Sequence, residues 1–347
     1  MFAWSPLPRN VVATFRDATN PKASVRLSAI ADLVRWAAGD ERLRCIEQLT
    51  ALLERDVDPE VRAAAAVALA DADAEESLPA LIRAAQSASP RVCEMALVAL
   101  GELGPEGSGP ALEVVRHALA SSAPATRFQA LIAAHRLLEP DELLPHLVAA
   151  LADTEARVRY VACRIAEERF FAESSGEPPS ELSELLTKLL ADPAENVALV
   201  VAITLGRRGS ERARAMVVRA LNRRDGFTEL DDEQAAIEMC AELNLNAAGP
   251  GLRSRAFRGA FGASPLSFQA RVALARMGDA RACEQILRDL SSFRRSVRDR
   301  AVAAAGQARL EAARPRLMEM RSDERQADLP SVVEALEALS VQVKTRL

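Results

Sequence analysis

The side chains that most often carry out chemistry are sparse in this 347-residue sequence. The three histidines, His117, His135 and His146, form neither the His-Glu-x-x-His pattern of zinc sites nor any His-Glu pair. The cysteines are odd in number, far apart and never arranged as Cys-x-x-Cys; they are Cys45, Cys93, Cys163, Cys240 and Cys283. We therefore expect no catalytic residues, no metal site and no cofactor, and we expect reduced thiols buried in the helices of a cytoplasmic protein.

Motifs for nucleotide binding and acyl transfer are also missing. No Gly-x-Ser-x-Gly elbow occurs. No glycine-rich phosphate loop follows a strand, because no run of alternating β-branched residues is long enough to predict one. Only 15 glycines, together with frequent Ala, Leu, Arg and Glu, favour an all-helical chain.

One short pattern recurs about every 35 residues and organises the chain. In the copy Asp56–Ala63, Asp58 is a good helix N-cap and Pro59 suits the first helical position. Counting from Val61, the apolar residues at 65, 68, 69 and 72 fall on one face of a helix. Further copies centre on Val25, Val92, Thr126, Val158, Val197, Ala235, Leu266, Val297 and Val332.

A second helical pattern lies between successive copies, so each unit is predicted to be two antiparallel helices. One pair cannot bury both of its apolar faces, so the pairs must stack. The sequence thus predicts an all-α protein: an α-solenoid of about ten pairs that spans residues 1–347 as a single array. A polar, proline-containing stretch near 172–180 predicts an irregular loop, and glycines predict a distorted repeat near 225–264.

These units resemble the HEAT repeat family, in particular its bacterial HEAT-like (PBS lyase HEAT-like) branch. The resemblance is carried by the Asp/Ser-Pro turn, the Val-Arg that follows it and the Ala-x-x-Ala-Leu after that. It implies a right-handed superhelix whose second helices line a concave face. It also implies a structural ladder of Asp and Arg hydrogen bonds along the stack.

Two copies, Asp56 with Arg62 and Asp153 with Arg159, keep the six-residue Asp-Arg spacing of that ladder. Asn20/Arg26, Ser121/Arg127 and Ser292/Arg298 keep the spacing with a weaker acceptor. The ladder is expected to be interrupted in two copies, at Cys93, which replaces the Arg, and where Asp192 faces Ala198.

The concave face is more apolar than a water-exposed surface requires. Positions +2 and +6 from each Val point away from the predicted core. They are occupied by Leu27, Val67, Val98, Phe128 with Ile132, Tyr160 with Arg164, Leu199 with Ile203, and Phe268 with Val272. Two interpretations remain open: close packing of the second helices buries this row, or the row is an exposed groove for a partner helix or peptide. The groove interpretation makes Phe128, Ile132, Tyr160, Arg164, Leu199, Ile203 and Phe268 candidate partner-binding residues.

Basic residues are concentrated in the second half of the chain. Residues 200–300 contain 18 Arg or Lys against 12 Asp or Glu, a net +6, and the remainder contains 26 against 37, a net −11. The densest run covers 207–224 and includes Arg207, Arg208, Arg212 and Arg214. It predicts either a solvated outer helix or a docking patch for an acidic partner.

Known relatives suggest functions that this sequence supports unequally. HEAT-like deoxyhypusine hydroxylases hold iron with His-Glu pairs, which are absent here. HEAT-like DNA glycosylases use a basic concave face, so nucleic-acid binding here would depend on the 207–224 run alone. Bilin lyases also share the repeat and suggest a chromophore held in an apolar groove.

We therefore expect a non-catalytic, bacterial-type scaffold or adaptor that binds a protein partner on its concave face. The alternatives are a chromophore-lyase-like enzyme and a nucleic-acid-binding protein. The N-terminus does not predict a signal peptide, and no apolar stretch approaches the length of a membrane span.

Overall fold

The structure of the protein, a computed structural model, describes residues 9–104, 109–172, 176–257, 265–323 and 325–344. Within these ranges the chain forms 20 α-helices and three short 3-10 turns, and no strand. The predicted all-α architecture of stacked antiparallel pairs is therefore confirmed. The packing divides the chain into two compact units, residues 1–185 (unit 1) and 186–347 (unit 2), so the single array over 1–347 stays a prediction.

Unit 1 contains the first five pairs and the beginning of α11. In each pair the first helix has an odd number and the second an even number. The helices are α1 (Val11–Ala18), α2 (Ala23–Ala37), α3 (Arg42–Arg55), α4 (Pro59–Asp71), α5 (Leu78–Ala84), α6 (Pro90–Leu103), α7 (Pro110–Leu119), α8 (Pro124–Leu137), α9 (Pro140–Leu151), α10 (Ala156–Phe170) and α11 (Ser180–Leu189).

The second helices of unit 1 pack side by side in chain order, α2 on α4, α4 on α6, α6 on α8 and α8 on α10, and each also packs on its first helix. Small residues allow this close approach. In α4, Ala63, Ala65, Ala66 and Ala68 are all buried. A Cβ added to Gly101 of α6 would lie 2.9 Å from Cα of Ala133 in α8, which leaves no room for a larger residue.

Unit 2 repeats the arrangement. Its helices are α12 (Glu195–Arg207), α13 (Glu211–Asn222), α14 (Leu230–Glu242), α15 (Gly249–Ala256), α16 (Pro265–Arg276), α17 (Ala280–Asp289), α18 (Arg295–Gln307), α19 (Arg314–Arg321) and α20 (Leu329–Lys344). The even-numbered helices again pack in chain order. Gly306 of α18 lies as close to Ala335 of α20 as Gly101 lies to Ala133 in unit 1.

Five of the links between pairs share one cap geometry. The second residue after the helix adopts a left-handed conformation at Asp73 (φ 48°), Gly209 (101°), Asn244 (51°), Gly278 (83°) and Arg309 (51°). The next amide then donates to the carbonyl five residues earlier, as in Ala74 to Leu69 at 3.0 Å, which is a Schellman cap. After Asp73, Asn244 and Arg309 a 3-10 turn follows, at Glu75–Ser77, Asn246–Ala248 and Glu311–Ala313.

The two irregular regions expected from the sequence lie partly outside the described residues. Between α10 and α11, residues 171–172 and 176–179 are not helical, and 173–175 lie outside the described ranges. Within 225–264, α14 is a regular helix of 13 residues, whereas α15 has only eight. Residues 258–264, including Phe261, lie outside the described ranges. Pro250 stands at the start of α15, where a proline costs no hydrogen bond.

Candidate protein-binding surfaces

A row of partly exposed apolar side chains crosses the second helices of unit 1. We call this set the unit-1 row. It consists of Leu27 and Val34 on α2, Val67 on α4, Met95 and Val98 on α6, Phe128 and Ile132 on α8, and Tyr160 on α10. Leu27 is 36% exposed, and the others are half-buried. Because these helices pack in chain order, the row extends over five neighbouring helices.

The start of the row lines a shallow depression of about 480 Å³ on α2, α4 and α6. Small residues such as Ala63 and Ala64 lie between the larger side chains of Leu27, Val67 and Met95. Leu27 and Val67 stand at positions +2 and +6 of their copies, so the sequence pattern placed both of them in the row. Met95 stands one position further along, at +3, so counting only +2 and +6 missed it.

Acidic side chains border this depression. Glu60 and Asp71 of α4 line it, together with Arg91 of α6, whose Nε lies 3.7 Å from a carboxylate oxygen of Glu60. Asp71 is exposed and makes no ion pair with any residue that the structure describes. Unit 1 as a whole contains 18 Arg or Lys against 28 Asp or Glu, a net −10.

The far end of the row, on α8 and α10, is held by charged neighbours. The guanidinium carbon of Arg157 lies 5.6 Å from the ring centre of Phe128, within reach of a cation–π contact. Arg164 donates to Glu167 at 3.1 Å. His135 Nε2 lies 3.5 Å from Glu168, and burial lowers the pKa of His135 although Glu168 opposes the shift.

Two of the candidate partner-binding residues are not on an exposed surface. Leu199 is 5% exposed and Ile203 is fully buried, and every residue of the stretch Val197–Gly206 of α12 is buried. The prediction that these two residues line an exposed groove is therefore wrong. The physical reason is that α12 is apolar all round, and such a helix becomes part of a core; within unit 2 it packs against α13 and α14. Phe268 and Val272 of α16 are half-buried.

The Asp-Arg ladder joins successive copies of the repeat. Arg26 donates through Nε and an Nη to the two carboxylate oxygens of Asp56, both at 2.7 Å, and Arg127 binds Asp153 in the same way. The bond to Arg127 lowers the pKa of Asp153, and the backbone amide of Glu155 adds to the shift although burial opposes it. Burial also opposes ionisation of Asp56, but the bonds from Arg26 and the amide of Asp58 outweigh it and lower that pKa too.

Within one copy, the arginine binds the backbone carbonyl of the residue six positions earlier, not its side chain. Arg159 donates to the backbone carbonyl of Asp153 at 2.8 Å, and Arg127 likewise to the carbonyl of Ser121 at 2.9 Å. Arg62 differs from both because Ser87 stands where the next copy would supply a carboxylate. Its buried Nε finds no hydrogen-bond partner among the described residues. Cys93, at the expected interruption, donates its thiol to the carbonyl of Ala85.

The basic run 207–224 is partly neutralised inside unit 2. Nε of Arg207 lies 3.5 Å from a carboxylate oxygen of Glu242. Arg214 binds Glu211 at 2.5 Å and donates to the backbone carbonyl of Gly206 at 2.9 Å. Arg223 forms an ion pair with Glu195. Arg208 and Arg212 are exposed. Part of the run therefore serves the structure of the unit.

The described residues contain no group of three or more His, Cys, Asp or Glu side chains arranged to hold a metal ion. Four of the five cysteines are buried, and Cys283 is half-buried. Burial raises the pKa of Cys240 to about 12, which keeps its thiol protonated at neutral pH. None of the helices in the described ranges has the length and apolar character that a bilayer crossing requires.

Comparison with protein families supports the resemblance found in the sequence. Residues 46–134 match the model of the family described as HEAT repeats, so the resemblance is confirmed over α3 to α8. No curated protein matches the chain.

Several solved structures are similar to this chain at low sequence identity. YibA of Escherichia coli is 17% identical over 77% of this chain and 93% of its own, with a TM-score of 0.51. The complex of CpcE and CpcF of phycocyanin lyase from Nostoc sp. PCC7120 is 19% identical over 80% of this chain and 98% of its own, with a TM-score of 0.44. A structure described by the binding of Kap95p to RanGDP is 13% identical over 95% of this chain and 51% of its own, with a TM-score of 0.49.

Proposed function

We propose that this chain, whose residues 46–134 match HEAT repeats, is a non-catalytic scaffold that binds a protein partner along the unit-1 row. The observation that supports the proposal is the half-exposed apolar row itself, because apolar side chains aligned over several helices contribute nothing to a water-exposed surface. Phe128, Ile132 and Tyr160 supply the bulkiest contacts, and aromatic side chains are enriched at the centres of interfaces.

The chemistry of the row suggests the kind of segment that binds it. A shallow depression floored by alanines and bordered by larger apolar residues suits the ridge of a helix, whose apolar side chains recur at i, i+3, i+4 and i+7. Glu60 and Asp71 favour basic residues beside that ridge, and the net charge of −10 on unit 1 attracts a basic segment from a distance. We therefore expect a basic amphipathic helix as the occupant.

A direct titration tests this proposal. The probe is a fluorescein-labelled 18-residue amphipathic helix of leucine and lysine, titrated with the full chain and followed by fluorescence anisotropy. We expect saturable binding that weakens about tenfold or more in Val67→Asp/Phe128→Asp, because both changes place a charge in the row. The matched control is Leu43→Asp, which changes an apolar residue that is 74% exposed on a first helix.

Circular dichroism would first establish that the variants remain folded. If the double variant and the Leu43→Asp control bind the probe equally well, the row is not the binding surface. If a leucine–glutamate helix of the same length binds as tightly as the lysine version, the predicted basic character of the partner is wrong.

The two alternatives from the sequence have their own tests. Chromophore binding predicts an absorbance change when the chain is incubated with a bilin. Nucleic-acid binding predicts a gel shift at low salt that is lost in Arg207→Glu/Arg208→Glu/Arg212→Glu. The ion pairs of Arg207, Arg214 and Arg223 within unit 2 leave fewer charges for a phosphate backbone, so the scaffold is the better supported function.

A further inference from the structure

Arg309 occupies a backbone conformation that its residue type disfavours. The equivalent cap positions hold Gly209 and Gly278, or Asp73 and Asn244, whose short side chains tolerate the left-handed region. An arginine at φ 51° is uncommon and costs more than glycine at that place. Residues in sparsely populated backbone conformations cluster at functional sites, which makes the side chain of Arg309 a candidate for a functional role.

Arg309 and a second arginine, Arg276, together border two neighbouring depressions on unit 2. The first, of about 400 Å³, lies between the ends of α14, α16 and α18, and the second, of about 270 Å³, lies on α18 and α20. Both arginines line both depressions. Gly306 and Ala335, where α18 and α20 approach most closely, contribute to the second one.

The acidic side chains around these arginines are mostly engaged elsewhere. Glu242 lies 3.5 Å from Arg207, and Glu311 accepts two bonds from Arg314 at 2.9 and 3.1 Å, which lower its pKa. Glu334 is the carboxylate in the second depression without such a pair among the described residues. Neither Arg276 nor Arg309 forms an ion pair or a side-chain hydrogen bond within the described part of the chain. Among the described residues, the two depressions therefore contain two unpaired guanidinium groups and one unpaired carboxylate.

We propose that the two depressions bordered by Arg276 and Arg309 bind an acidic, extended segment of a partner protein. Arg276 is the last residue of α16 and Arg309 is the second residue after the end of the neighbouring helix α18, and packed helices lie about 8–10 Å apart. In the extended polyproline II conformation a chain advances about 3.1 Å per residue with three residues per turn, so carboxylates three residues apart lie on the same side and match this separation. A guanidinium binds a carboxylate through two parallel N–H donors, which favours acidic side chains over neutral ones.

An anisotropy titration of the full chain tests the site. The probe is a fluorescein-labelled eight-residue peptide with two glutamates three positions apart, and the reference is the same peptide with two glutamines. We expect the glutamate peptide to bind more tightly than the glutamine peptide. Arg276→Glu/Arg309→Glu should weaken binding of the glutamate peptide about a hundredfold, roughly tenfold for each arginine. Glu334→Gln should tighten this binding.

The matched control is Arg300→Glu/Arg321→Glu, which makes the same change of charge at two exposed arginines of unit 2 that line neither depression. Equal weakening in the control and in the test variant would show a general charge effect and overturn the site. Arg309→Gly supplies a second readout. It should raise the stability of the chain, because glycine tolerates the left-handed conformation, and it should weaken binding of the glutamate peptide. If it changes stability without changing binding, the side chain has no role in recognition.

Two further probes separate the sources of negative charge. Inorganic phosphate at millimolar concentration should not displace the peptide, because a single phosphate contacts only one arginine at a time. A single-stranded oligonucleotide that binds more tightly than the peptide, and loses its affinity in Arg276→Glu/Arg309→Glu, would overturn the peptide proposal and assign the site to nucleic acid.

Discussion

Positions Ile132 of unit 1 and Ile203 of unit 2 are equivalent in the repeat, yet they differ in exposure. Ile132 is half-buried on α8, and Ile203 is completely buried on α12. The difference is in the rest of each helix. Helix α8 also carries Gln129 and Arg136, whereas Val197–Gly206 of α12 contains no charged residue. The composition of a whole helix, rather than one position in a repeat, decides whether a second helix keeps an exposed apolar surface.

The two units also differ in charge. Unit 1 carries a net charge of −10 and exposes an apolar row, and unit 2, with 26 Arg or Lys against 21 Asp or Glu, carries +5 and exposes Arg276 and Arg309. Under the two proposals, the same helical pair provides surfaces for chemically opposite segments. Four sets of substitutions test the structural side of this comparison.

The largest effect is expected from an aspartate at the two equivalent isoleucines. Ile203→Asp places a carboxylate in a fully buried site and should destabilise the chain by about 4 kcal/mol or more, because an unpaired buried charge is among the costliest changes. Ile132→Asp can keep its carboxylate in water and should cost about 1 kcal/mol. Urea unfolding followed by circular dichroism measures both, and equal losses would contradict the assigned difference in burial.

The next effect tests the ladder of unit 1. Arg127→Ala leaves the carboxylate of Asp153 without its partner and should cost about 2–3 kcal/mol. Arg62→Ala is the matched control, because Arg62 has no carboxylate in the next copy; it should cost less than about 1 kcal/mol.

The ladder pair also predicts a pH dependence. The pKa of Asp153 is lowered in the folded chain, so the stabilisation is complete above its ordinary pKa, near pH 4. It is lost as the pH falls through the lowered value. The stability gap between the wild type and Arg127→Ala should therefore narrow on acidification below about pH 4. A gap that widens there would contradict the assigned ion pair.

A smaller effect should be shared by both units. Gly101→Ala and Gly306→Ala each bring a Cβ to within 2.9 Å of the backbone of the neighbouring second helix. Overpacking costs about 1–3 kcal/mol, and the better helix propensity of alanine recovers about 1 kcal/mol. We expect a net loss of up to about 2 kcal/mol in each case by urea unfolding. A gain in either unit would mean that the helices can move apart there.

The smallest effect concerns the caps. Gly278→Ala forces a Cβ into the left-handed region at φ 83° and should destabilise unit 2 by about 1 kcal/mol. Asp73→Gly in unit 1 should be nearly neutral or slightly stabilising, since it relieves the same conformation. Thermal unfolding of both variants measures the difference, and a gain in stability for Gly278→Ala would contradict the assigned cap.

The fold was largely predictable because it depends on local signals repeated many times. Pro59 after Asp58, and Pro265 before the helical run to Arg276, begin second helices as the pattern indicated. Prolines mark the helix starts and the apolar period marks the buried face, so every copy of the repeat predicts the same helix. The spacing of Asp153 and Arg159 was also visible.

The candidate sites were less predictable because they depend on contacts between copies. The sequence showed Arg127 and Asp153 but not that they pair with each other across 26 residues. It grouped Ile203 with Ile132, since a position count does not measure what surrounds a helix. Arg309 gave no signal at all, because nothing in the sequence marks a left-handed arginine where other links have glycine, asparagine or aspartate.

The links that contain Asp73, Asn244 and Arg309 each place a left-handed residue at the same position after the helix. Each then forms a three-residue 3-10 turn before the next helix begins. Chain segments cut at these points have matching ends. A block from the link at Asp73 could be joined to the continuation after Asn244 without changing the length of any turn. Recombination between such links would exchange whole blocks of helices, with the proposed binding surfaces that they carry, while it preserves the turns between them.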